Sequence, residues 1–121
     1  MEKTYKETLW SRRARQELTN GRLDRSAQNY LGWLEYIGSD AIFGRRNRDA
    51  ATIEDLHILH KVWTNSRAAN FIRRWLPDLY AALDRVDSAL LYIFIGADAE
   101  QAYNEAVRAA HEALFFYVGK N

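Results

Sequence analysis

Leu79-Tyr80-Ala81-Ala82-Leu83-Asp84-Arg85-Val86-Asp87-Ser88-Ala89-Leu90-Leu91-Tyr92-Ile93 is the stretch whose reading decides the fold. Leu79, Leu83, Val86, Leu90 and Ile93 recur at steps of 4, 3, 4 and 3, a heptad seam of large apolar side chains along one helix face. Pro77 stands at the first position of that helix, where its missing N–H costs nothing, and Asp78 complements the dipole there. After Gly96 the chain answers with Ala99, Tyr103, Ala106, Ala110, Ala113 and Tyr117 at the same spacing. Large residues on one seam and alanines on the other let two helices joined by a short turn approach closely and antiparallel. The expected contact sets Leu83, Val86 and Leu90 over Ala106, Ala110 and Ala113. Gly119 ends the last helix.

Upstream, the same period continues. Thr4 and Glu7 are spaced as a capping box for a first helix over about Thr4 to Leu18, which Thr19-Asn20-Gly21 ends. A second helix, from about Asp24 to Ile37, carries Ala27, Tyr30, Leu31, Leu34 and Ile37 on one face, and Gly38 is expected to close it. Residues 38–51 read as the least regular segment, with Ile42 and Phe43 pinning a loop to the core and its arginines in water. Thr52 with Asp55 starts a third helix bearing Ile53, Leu56, Leu59, Val62 and Trp63. Thr64-Asn65-Ser66 predicts a break, with Ser66 capping a helix over Ala68 to Leu76. The expected architecture is all-α, a compact bundle of five or six helices in a single domain over residues 1–121, closed by the C-terminal antiparallel pair.

Composition agrees with this. The chain of 121 residues is long enough for one core and short for two. Sixteen aromatics, four of them Trp, supply apolar surface to bury, and the absence of Cys excludes disulfides, thiolate metal sites and cysteine nucleophiles. The N-terminus has no apolar stretch of signal-peptide length, and the longest apolar run, Ala89 to Ile95, is far short of the roughly 20 residues of a membrane span. A cytoplasmic location without membrane partners is the expectation.

Little in the sequence points to catalysis. His57 sits in Glu54-x-x-His57, a motif of di-iron bundle proteins, but such sites need a second Glu-x-x-His and two facing glutamates. His111 is preceded at that spacing by Arg108, so no metal or other cofactor is expected, and His57 and His60 read as partly buried side chains bonded within their helix. The serines at 11, 26, 39, 66 and 88 lack a nucleophile-elbow context, and no glycine loop for phosphate is present. Arg108-Ala109-Ala110-His111 is too short to match the Arg…His pair of HEPN-type helical ribonucleases. No catalytic residue is assigned, and an enzyme is not expected.

The charge distribution is the stronger lead. A net charge of +1 conceals a surplus of five basic groups over residues 1–74 (14 Lys/Arg, 9 Asp/Glu) and a deficit of four over 75–121 (3 against 7). Arginine outnumbers lysine 13 to 4, and its planar fork suits phosphate and carboxylate. Arg12, Arg13 and Arg15 fall late in the first helix, and Arg22 and Arg25 flank the next turn. Arg45, Arg46 and Arg48 crown the irregular loop, and Arg73 and Arg74 precede Trp75, an aromatic near a helix end where part of its ring stays exposed. Together these residues are the candidate site for the backbone of a nucleic acid, RNA or DNA. The structural alternative pairs the arginines with Glu17, Asp24, Glu35, Asp40 and Asp49 as ordinary surface salt bridges. The other tryptophans, Trp10, Trp33 and Trp63, fit helix-packing patterns and read mainly as core. Leu114 to Val118 is apolar all round, suited to burial or to docking on another subunit.

These features predict a non-catalytic helical subunit that contacts nucleic-acid backbone within or beside a larger nucleoprotein complex. In size, helical build and Arg-rich face the chain is similar to the small helical subunits of CRISPR effector complexes, a likeness of class that spans the whole chain and rests on no motif. No helix-turn-helix, zinc finger or RNA-recognition motif suggests base reading. The alternative is a protein-binding module (adaptor, inhibitor or immunity-type) whose Arg-rich face meets an acidic protein partner.

Overall fold

The computed structural model describes residues 23–43 and 51–117. Five helices pack together there as a compact bundle: α1 (Leu23–Phe43), α2 (Ile53–Thr64), α3 (Arg67–Trp75), α4 (Pro77–Phe94) and α5 (Glu100–Tyr117). No strand occurs among the described residues. The expected helix over Thr4 to Leu18 lies outside them, as do residues 44–50 of the arginine loop.

The local signals act as their chemistry requires. Thr52 accepts a hydrogen bond from Asp55 N while the Asp55 carboxylate accepts one from Thr52 N, a complete capping box that starts α2. Ser66 Oγ accepts from Ala69 N at 3.0 Å, so the chain breaks after Thr64 and restarts as α3. Pro77 opens α4 directly after the fully buried Leu76, which ends one helix and begins the next. Gly96 turns the chain at a φ of +95°, a left-handed conformation that a side chain would strain.

With so short a turn between them, α4 and α5 run antiparallel, and theirs is the most extensive helix contact in the bundle. Leu79, Leu83, Val86 and Leu90 are fully buried, and Tyr103, Ala106, Ala110, Ala113 and Tyr117 are buried in the same core. Each large aliphatic side chain so buried contributes about 1.5–3 kcal/mol. Leu31 and Leu34 of α1, Leu56 of α2 and Ile72 of α3 complete the core.

One boundary differs from the sequence reading. Gly38 does not close α1, which continues to Phe43 and removes six residues from the segment read as irregular. A helix tolerates glycine at a cost of about 1 kcal/mol, and here the hydroxyl and ring edge of Tyr103 occupy the space that a Cβ at residue 38 would fill. Gly38 admits a close contact between α1 and α5 rather than a stop. Trp63 is buried as expected, but Trp33 is exposed rather than in the core, because it falls off the Ala27, Leu31 and Leu34 face of α1. Of the apolar tail Leu114 and Tyr117 are buried and Phe115 is exposed, while Trp10, Val118 and Gly119 lie outside the described residues.

Candidate nucleic-acid interface

α3 is nine residues long and strongly two-sided. Ala68, Ala69 and Ile72 face the core, and the opposite side presents Arg67, Asn70, Arg73 and Arg74 to solvent. Position 67 shares a face with 70 and 74 at helical spacing, so the strip runs the length of the helix. Arg73 and Arg74 also occupy the last turn, where positive charge is favoured by the helix dipole. Arg73 Nη2 donates to Asn70 Oδ1 at 2.7 Å and its guanidinium lies 5.9 Å from the ring of Tyr80. The Arg74 guanidinium lies 5.0 Å from the half-buried Trp75 ring. Cations and aromatic faces thus alternate around the end of α3 and the start of α4, held by a capped helix and a proline turn.

Of the residues singled out in the sequence, the structure brings Arg73, Arg74 and Trp75 together at this end of α3. Arg25 is exposed on the first turn of α1. Arg12, Arg13, Arg15, Arg22, Arg45, Arg46 and Arg48 lie outside the described residues. Arg67 was missed, although its spacing of three and seven from Asn70 and Arg74 carries the signal.

The salt-bridge alternative is not realised where it can be read. Both ion pairs among the described residues involve histidine, and neither Arg25, Arg67, Arg73 nor Arg74 pairs with a carboxylate there. Glu35, an expected partner, binds His111 Nε2 at 2.9 Å. Asp40 accepts a hydrogen bond from Ala51 N, bridging the two ends of the segment between α1 and α2. Glu17 and Asp49 lie outside the described residues.

The histidines also depart from the sequence reading. His57 is exposed, and His60 bonds not within its helix but across to α4, with Nδ1 2.7 Å from Asp87 Oδ2. Tyr30 of α1 donates its hydroxyl to the same oxygen at 2.7 Å, and its ring stacks on Trp63 at 4.4 Å and 7°. Asp87 is the buried charged residue among those described, and Tyr30 and His60 both bond to its Oδ2. Burial first, then the adjacent Asp87 charge, raises the Tyr30 hydroxyl pKa far above its ordinary value, so it stays protonated and donates. The cluster ties three helices together, and no sequence motif marks it. Among the described residues no group of three or more potential ligands is placed to hold a metal ion, and no helix is long and apolar enough to cross a membrane.

Comparison with protein-family models, with curated proteins and with solved structures finds no match to this chain.

Proposed function

We propose that the protein is a non-catalytic helical subunit that holds the sugar–phosphate backbone of a nucleic acid on its arginine-bearing side, within or beside a larger nucleoprotein complex. The observation that carries this reading is the strip Arg67, Arg73 and Arg74 on α3, exposed and unpaired with carboxylates among the described residues. An arginine already bound to a carboxylate must give up that bond before it can bind phosphate. These need not. The neighbouring Tyr80 and Trp75 rings lie beside the Arg73 and Arg74 guanidiniums and help hold these cations at the end of α3. Arg25 and the arginines at 12, 13, 15, 22, 45, 46 and 48 extend the same chemistry.

Each phosphate neutralised releases condensed counterions, so affinity falls with salt at a log–log slope near −0.9 per contact on duplex DNA and −0.7 on single strands. Four or five contacts give a slope of roughly −4 on duplex DNA. Fluorescence anisotropy of labelled duplex and single-stranded oligonucleotides across a salt series tests this. Similar affinity for unrelated sequences, lost with that steepness, is the expected result, because phosphate contacts position without reading bases. Absence of binding at low salt by the isolated protein would favour the second reading, an acidic protein surface as the target of the same arginines.

A further inference from the structure

The largest exposed apolar side chains of the first two helices stand together. Trp33 and Tyr36 of α1 are 56% and 63% exposed, edge to face at 5.8 Å, and Ile58 and Val62 of α2 are 59% and 64% exposed. Between the two helices lies a cleft of about 420 Å³, lined by these four residues and floored by Ile37 and Leu59. Ridge and cleft occur on one face, as a contact between identical surfaces requires.

The charges on α2 say what fits there. Ile58 is flanked by Glu54 and Asp55, four and three residues before it, and by Lys61 and Val62, three and four residues after it. An antiparallel copy of α2 crossing at Ile58 therefore sets Ile58 against Ile58, Asp55 against Lys61, and Val62 against Glu54. A parallel arrangement would set like charges together. We infer that this face is the interface of a two-fold homodimer, with α2 packed antiparallel on α2 of a second copy and Trp33 and Tyr36 closing over it from α1.

The apolar area sets the strength. Aromatic side chains bury on the order of 150–250 Å² each, so the four partly exposed residues bring on the order of 400 Å² per copy, about half the roughly 800 Å² per partner of a standard interface. The dimer is thus a moderate one, dissociating on dilution rather than obligate. The inference rests on residues outside the arginine strip and is tested without nucleic acid.

Analytical ultracentrifugation over a concentration series reads the outcome, with circular dichroism confirming that each variant folds. Wild type should pass from monomer to dimer as concentration rises. Ile58→Glu sets two carboxylates face to face on the axis and should leave a monomer. Lys61→Glu sets a carboxylate against Asp55 twice per dimer and should weaken it about tenfold, whereas Lys61→Arg keeps the charge and should leave it as tight as wild type. Lys61 is varied rather than Asp55 because Asp55 also caps α2. A wild type that is monomeric at every concentration overturns the inference. So does a dimer indifferent to Ile58→Glu, or one that Lys61→Glu leaves as tight as wild type.

Discussion

A methyl group at residue 38 would collide with the Tyr103 hydroxyl and its ring carbon. Replacing a mid-helix glycine by alanine ordinarily stabilises by up to about 1 kcal/mol. Gly38→Ala should instead destabilise the protein by on the order of 1–3 kcal/mol, since a packed ring has to move. Chemical denaturation of the variant checks the sign, and a gain in stability would remove Tyr103 from its assigned place. The tyrosine has a second consequence, in pH. Burial, followed by the charge of Glu35, pushes its hydroxyl pKa from 10.0 up to about 12. A group whose folded pKa is raised stabilises fully below its unfolded value, so this contribution is intact below pH 10.0 and is lost as pH rises toward about 12. Stability should decline over that window, and Tyr103→Phe should flatten part of the decline. A Phe variant with the same alkaline profile would contradict the burial of the hydroxyl. Gly38 also shows where reading a residue from its neighbours in sequence fails. A glycine after Ile37 looks like a helix end, and the ring that makes it necessary arrives 65 positions later.

Elements were legible wherever their signal is local. The capping box at Thr52 and Asp55, the Ser66 cap and Pro77 each depend on atoms a few residues apart, and each marks a boundary found in the structure. The seams of α4 and α5 were legible because the heptad spacing repeats long enough to fix a face. Ala110, fully buried on the alanine seam, is where that reading can fail most clearly. Ala110→Leu should overpack the contact with α4 and cost on the order of 1–3 kcal/mol, measured by thermal or denaturant unfolding. Melting like wild type would mean that the two seams do not face each other closely. Asp87 was not legible, because it sits one residue after Val86 of the seam and nothing nearby in sequence says that its carboxylate turns inward. Its partners, Tyr30 and His60, come from two other helices. On α2, spacing placed Val62 with Leu56, Leu59 and Trp63, yet Val62 is exposed. An apolar stripe wider than the core can cover leaves its edge in solvent, and that edge forms one wall of the cleft.

At the scale of the whole molecule, two surfaces of opposite chemistry share one bundle. The sequence announced the cationic one through its surplus of arginine, though not which guanidiniums stand clear of carboxylates, a property set by packing. The apolar one was hidden, because spacing put Trp33 with the core and gave Tyr36 no assignment until the neighbours of α1 were known. Separable surfaces predict separable losses: variants at Ile58 alter self-association, and variants on α3 alter nucleic-acid contact. The central claim is that the arginines of α3 hold phosphate, and its most direct measurement is the salt dependence of binding by the Arg67→Ala, Arg73→Ala, Arg74→Ala triple variant. All three side chains are exposed, so the fold should survive and circular dichroism should match wild type. The account predicts weaker binding to duplex DNA of every sequence tried, with the log–log salt slope shallower by about three. A folded triple variant that binds nucleic acid with the affinity and salt slope of the wild type would contradict it.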